Sequence, residues 1–329
     1  MLILDKKYVY KIKKNHCPKC ESNSVIHYGK QNGKIRFQCK SCLKVFQPKD
    51  QSWVEQAYSQ FTEHKQTYPE LEVKYNKDEN TIRKYFDQLG VKSKLAASKA
   101  VDELFESNET TNLELARIGL IFDTTFFKRR FGVMVYRSGG RNLKCSFVPT
   151  ERLDYYLNDL NELSKKYCFT SFTIDGRKGL IQLLQKHFPN TPIQICHFHQ
   201  VAIVTRYTTR NPKTECSIEL LKLIKTLKTS TKETFIRKFN NLQNKYKDFL
   251  KERNEQGQFQ HRKLRSAIRS IKSNLPYLFT FQDHKDLKIE STTNSCEGSF
   301  GQWKYKVRLH RGMTDDRMQQ MIRRLLGCP

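Results

Sequence analysis

Apolar and polar positions change rhythm along this chain, and the changes divide it. From residue 115, RIGLIFDTTFF, RRFGVMVYRSGG and RNLKCSFVPT are dense in β-branched and aromatic residues and predict three strands. A Ser-Gly-Gly turn joins the last two. ERLDYYLNDLNELSKKY then places Leu153, Leu157, Leu160 and Leu163 along one side of a helix. FTSFTID predicts a strand, GRKGLIQLLQKHFP a helix and TPIQICHFH a further strand. The order is βββαβαβ, the core of a ribonuclease H-like α/β fold. In that topology the first and fourth strands lie side by side. Asp123 and Asp175, each at or near the end of its strand, are then expected within reach of a shared metal.

Helical periodicity governs the flanks. PELEVKYNKDENTIRKYFDQLG reads as helix, turn, helix, with Asn76 in the left-handed turn position and Asp78 as N-cap. Ile82, Phe86 and Leu89 are spaced for one buried face. Asn80, Thr81, Arg83 and Lys84 would then face outward, as in a helix that reads DNA. Lys77 departs from the pattern, because that turn position usually carries an apolar residue. Between His199 and Ser291, CSIELLKLIKTLK, KETFIRKFNNLQNKYKDFLKE and RKLRSAIRSIKSNLPYLF predict helices that the small α/β core does not need.

Cysteine spacing adds a metal. Cys17 and Cys20 form one C-x2-C pair, Cys39 and Cys42 a second, with 18 residues between them. Two such knuckles converge on one tetrahedral zinc. The stretch between them reads as a hairpin turning at Asn32-Gly33, which is the layout of a zinc ribbon.

Charge narrows the partners. The 329 residues carry a formal net charge of +27, and a globular chain this basic suits a polyanion, nucleic acid first. No apolar run approaches the roughly 20 residues of a spanning helix. The start, MLILDKKYVYKIKK, has no signal-peptide apolar core, which points to a cytoplasmic, nucleoid-associated protein without a membrane partner. Residues 205–280 hold 18 Lys/Arg against 6 Asp/Glu, an excess that fits the wall of a DNA channel.

Paired acids suit phosphoryl transfer. Mg2+ or Mn2+ prefers oxygen ligands, and two ions a few Å apart can activate a nucleophile and stabilise a leaving oxygen. Glu297, in ESTTNSCEGSFGQWKYKVRLHR, is the best third carboxylate, with Glu290 the nearest alternative. Asn294 or Ser295 can cap its helix. Gly301, Lys304 and Arg308 share the face of Glu297, placing two cations for a phosphodiester backbone. Phe300, Trp303 and Val307 form the adjacent apolar stripe. Trp303 is ordinarily a core anchor; stacking on an unpaired base is the alternative.

Taken together and in order, IFDTTFF, TIDGRKG, CHFH and TTNSCEG resemble the Mutator-type bacterial insertion-sequence transposases, in their variant with a zinc-binding N-terminus. The resemblance implies a DDE transposase, with Asp123, Asp175 and Glu297 as its three acids, two Mg2+ or Mn2+ ions with DNA bound, and one structural Zn2+. Cys196 and His199 match the C-x2-H motif of that group, either packing beside the site or acting in catalysis. It also implies that an all-helical insertion interrupts the core before the last acid.

The expected organisation is a zinc ribbon over 1–50, a helix-turn-helix-like module over 51–92 and a linker over 93–114. The first part of the core follows over 115–200, the helical insertion over 201–290, and the last part over 291–329. Expected partners are the inverted-repeat ends of the element, target DNA, and further copies of the chain in a homodimer or larger complex. Two other functions share these features: a transposase-derived DNA-binding regulator without catalysis, and a structure-selective nuclease on the same core.

Overall fold

Asn32 and Gly33 both take positive φ, 49° and 73°, the pair that a two-residue hairpin turn requires. They join β1 (Val25–Gln31) to β2 (Lys34–Cys39), antiparallel with Gln31 opposite Lys34. A short β3 (Val45–Phe46) adds to β2 and completes a three-stranded sheet. The computed structural model describes residues 16–20, 22–47, 51–90, 115–310 and 312–327, without the side chains of Asn294, Ser295 and Glu297. The linker expected over 93–114 lies outside the described residues. The chain divides into two compact units near residue 96.

Three helices follow the ribbon: α1 (Ser52–Thr62), α2 (Tyr68–Tyr75) and α3 over 79–90. A capping box starts α2, with the Thr67 backbone N–H donating to Glu70 Oε2 at 2.6 Å. Asn76 ends it in the left-handed conformation, φ 49° and ψ 52°, as expected from its place in the turn. Asp78 opens α3 by accepting the Thr81 N–H at 3.0 Å. Phe61, Leu71, Ile82 and Phe86 are buried together with Tyr58, while Leu89 is only half-buried.

The second unit is built on a five-stranded mixed sheet in the order β6-β5-β4-β7-β8. Its strands are β4 (Ala116–Lys128), β5 (Phe131–Ser138), β6 (Arg141–Val148), β7 (Tyr167–Ile174) and β8 (Ile193–Ile195). The first three form an antiparallel meander, and β4, β7 and β8 run parallel. The crossovers are α4 (Leu153–Ser164) and α5 (Lys178–His187), giving the chain order βββαβαβ. Both helices bury leucines against Leu120, Phe122, Phe172 and Ile174. By strand alternation Ile121, Asp123 and Thr173 belong to the opposite face.

Two elements differ from expectation. Asp123 does not end its strand: β4 runs on to Lys128, because β5 pairs with it as far as Lys128 opposite Phe131. The parallel pairing of β4 with β7 does stop just before it, at Ile121 opposite Thr173. The strand expected over TPIQICHFH is only three residues long. Cys196 instead caps α6 (His197–Thr208), which runs unbroken through residue 200.

The insertion continues as α7 (Glu215–Lys225), α8 (Lys232–Lys245), one 3-10 turn at Phe249–Lys251, α9 (Arg262–Leu278) and the short α10 (Thr280–Asp283). Its apolar side chains, among them Leu220, Phe235, Phe239 and Ile271, join the cluster beneath the sheet. The end of α9 is fastened to β8 and α6. The Leu278 carbonyl accepts from Gln194 Nε2 at 2.9 Å and pairs with His197 Nε2 at 2.6 Å. Last come α11 (Asn294–Leu309), packed against β4, and α12 (Asp315–Leu326), packed against β6. Phe300, Trp303 and Val307 are buried, so Trp303 anchors the core rather than offering a stacking surface. Among the described residues no helix is long and apolar enough to cross a membrane.

Candidate functional site

The sulfurs of Cys17, Cys20, Cys39 and Cys42 lie within 4.8 Å of one another. Cys17 and Cys42 approach to 3.4 Å, Cys20 and Cys39 to 3.5 Å. A tetrahedron with Zn–S bonds of about 2.3 Å has sulfurs roughly 3.8 Å apart, so the set fits a structural metal such as zinc. Burial acts to raise the Cys39 thiol, but the Cys42 backbone and the Cys20 side chain outweigh it and bring it down to about 6. The knuckles supply backbone donors as well: the Lys19 N–H points at Cys17 Sγ, 3.4 Å away. Among the described residues this is the one group of three or more Cys, His, Asp or Glu side chains placed to share an ion.

Asp123 on β4 and Asp175, the residue after β7, each lie two residues beyond the Ile121–Thr173 pair of these parallel neighbours. The Asp123 side chain is 11% exposed, and its Oδ1 accepts the Thr124 N–H at 2.7 Å. Asp175 accepts the Arg177 N–H at 3.4 Å. Burial pushes the Asp175 carboxyl above its ordinary range, helped by the negative charge of Glu151 and opposed by His199 and Arg177.

His199 stands between several of these groups. Its Nε2 is 4.0 Å from Asp123 Oδ2, and its side chain lies close enough to the Cys196 thiol to act on it. Cys196 is fully buried. Burial would raise its thiol, but His199 and Thr293 more than offset that and lower it. The Thr293 N–H and hydroxyl reach Cys196 Sγ at 3.2 and 3.3 Å.

Thr293 is the residue before α11, so these bonds place the helix. It is the N-cap where Asn294 or Ser295 was expected, and its hydroxyl turns to Cys196 rather than to the helix's own N–H groups. Two further bonds hold the same loop: Thr173 Oγ1 to the Glu290 carbonyl at 2.8 Å, and the His197 N–H to the Ser291 carbonyl at 2.9 Å. The first turn of α11, which contains Glu297, thus starts beside the ends of β7 and β8. The Glu297 side chain itself lies outside the described residues. Glu290 is exposed and contributes its backbone to the loop.

The residues expected to touch DNA are not alike. Asn80, Lys84 and Arg308 are exposed, and Lys304 is half-buried. Thr81 bonds back to Asp78. Arg83 does not simply face outward. It bonds Glu79 one turn earlier, with Nε at 2.6 Å, and its guanidinium lies 4.4 Å from the Tyr68 ring centroid. The pairing follows from Glu79 and Arg83 being four apart on one helix face.

Glu151, Tyr156, Thr124 and Arg177 were not singled out from the sequence, yet they join the two aspartates. Thr124 Oγ1 and Tyr156 Oη are 2.6 Å apart, and the Tyr156 hydroxyl donates to Glu151 Oε1 at 2.7 Å. Arg177 Nη1 stands 2.9 Å from the same oxygen. The only signal along the chain was Arg177 two residues after Asp175. Compared with protein-family models and with curated proteins, the chain matches none of them.

Proposed function

We propose that this chain is a DDE transposase. It would bind the inverted-repeat ends of its element, cut the strand there, and join the freed 3′-hydroxyl to target DNA. The observation that carries the reading is the meeting of three chain segments. Asp123 and Asp175 each lie two residues beyond the Ile121–Thr173 pair of two neighbouring parallel strands, and the loop leading to Glu297 is tied to Thr173 of β7 and to Cys196 just after β8. The strand order and the βββαβαβ succession support a ribonuclease H-like core. The net charge of +27 supports a nucleic-acid partner.

Asp123, Asp175 and Glu297 would hold Mg2+ or Mn2+, which when bound supplies Lewis acidity and an acidified water at the scissile phosphate. Asp123 and Asp175 offer hard oxygen donors suited to these ions. The Asp175 carboxyl is held above its ordinary range, chiefly by burial and then by the nearby charge of Glu151, so the charged form that a cation needs is costly without one. His199 is placed to orient Asp123, and Cys196 to hold the start of α11. The four cysteines would carry one structural zinc in a ribbon that, with Asn80 and Lys84 of α3, contacts the element ends.

The test uses labelled element ends in a cleavage and strand-transfer assay. Asp123→Asn, Asp175→Asn and Glu297→Gln each keep shape and remove one negative ligand. Each is expected to abolish cutting and joining while end binding persists. Loss of cutting in a chain that never joins would identify a nuclease, and binding with no chemistry at all would identify a regulator. Activity surviving in Glu297→Gln would send the search for the third ligand elsewhere.

A further inference from the structure

Asp123 comes from β4 and Asp175 from the residue after β7. Between them runs a chain of bonds over the end of the sheet. Oδ1 of Asp123 accepts the Thr124 N–H, and Thr124 Oγ1 meets the Tyr156 hydroxyl. The Tyr156 O–H is committed to Glu151 Oε1, because an ionised carboxylate can only accept, so the Thr124 hydroxyl is the donor to Tyr156. Glu151 pairs with Arg177 Nη1, and Arg177 Nη2 adds a bond to the Glu151 carbonyl at 3.3 Å. The Arg177 N–H then closes on Asp175 Oδ1. Tyr156 is 2% exposed and sits among Phe122 and Leu160, so its hydroxyl is fixed by packing as well as by bonds.

We infer that Thr124, Tyr156, Glu151 and Arg177 form a positioning relay that sets the two aspartates for a shared divalent cation. The inference rests on the metal-dependent reading of the site. None of the four needs to touch the ion. Their effect is to hold the ligands' rotamers and spacing, and partners of this kind commonly change metal affinity about 10- to 100-fold.

The test is a Mn2+ titration of the zinc-loaded full-length chain, following the electron paramagnetic resonance signal of free aquo Mn2+. Tyr156→Phe removes one hydroxyl and changes no charge and little volume. Glu151→Gln removes the ion pair from a partly exposed loop residue and covers the case in which the buried variant misfolds. Melting in EDTA checks the fold of each. Mn2+ uptake is expected to weaken about tenfold or more in both, and the double variant is expected to be no weaker than the worse single one, as for members of one chain. Wild-type uptake in Tyr156→Phe, with weakened uptake in Asp123→Asn, overturns the relay and leaves the metal reading standing. Loss confined to Glu151→Gln also overturns it, since a nearby negative charge alone would then explain the effect. If Asp123→Asn takes up as much Mn2+ as the wild type, the metal reading itself fails and the relay with it.

Discussion

Cys39 is where one atom decides a whole substructure. It ends β2 and brings the second knuckle against the first, so Cys39→Ser should release the metal and unfold the hairpin. Elemental analysis should read about one zinc per wild-type chain and none in the variant. Arg83 and Lys84 make a second residue-scale contrast. Arg83→Ala loses the Glu79 bond and the Tyr68 stack, and should lower stability by about 0.5–1.5 kcal/mol. Lys84→Ala should leave thermal stability unchanged and weaken DNA binding, since Lys84 is exposed. The cysteine set was readable because its spacing is local in sequence. Glu151 was not, because a lone acid before a helix carries no period or partner until the fold brings Arg177 to it. Arg83 lay between these cases: Glu79 at four residues was visible, but Tyr68 came from another helix.

At the scale of elements, junctions were harder to read than interiors. The apolar run IQICHFH resembles a strand throughout, yet β8 stops at Ile195 and His197 begins α6. At that junction His197 Nε2 meets the Leu278 carbonyl, which arrives from α9, 81 residues away along the chain. His197 is buried, which keeps its imidazole easier to deprotonate than usual, the Leu278 carbonyl opposing this. In the unfolded chain a histidine titrates near 6.5, about as in model peptides. With the folded value lower, stability is complete above that pH. It falls as pH drops, because the unfolded state binds the proton first. His197→Gln should flatten that part of a pH–stability curve measured by urea unfolding. The start of α11 shows the same dependence on distant partners. Thr293→Val removes a buried hydroxyl's bond to Cys196 and should cost about 0.5–1.5 kcal/mol in thermal or urea unfolding.

For the whole molecule, the side-by-side placing of the first and fourth strands of the second unit followed from topology, and β4 does pair with β7. The chain's +27 charge predicts that affinity for any DNA falls steeply as salt rises, each neutralised phosphate having released a counterion. Binding at several salt concentrations checks this, and a flat response would remove the electrostatic argument for a nucleic-acid partner. Because the chain divides near residue 96, stripping zinc should leave the melting transition of the second unit in place. The fastening of the insertion to β8 has one more consequence. Among the described residues β8 is the last strand of its sheet and pairs with β7 alone, so its outer side carries no further strand. There Thr280 Oγ1 donates to the Ile193 carbonyl, and α9 and α10 lie against the strand. Replacing the insertion with a short loop would therefore do more than shrink the protein. It would uncover the Ile193 carbonyl and the outer side of β8, an edge on which a second molecule could add its own strand.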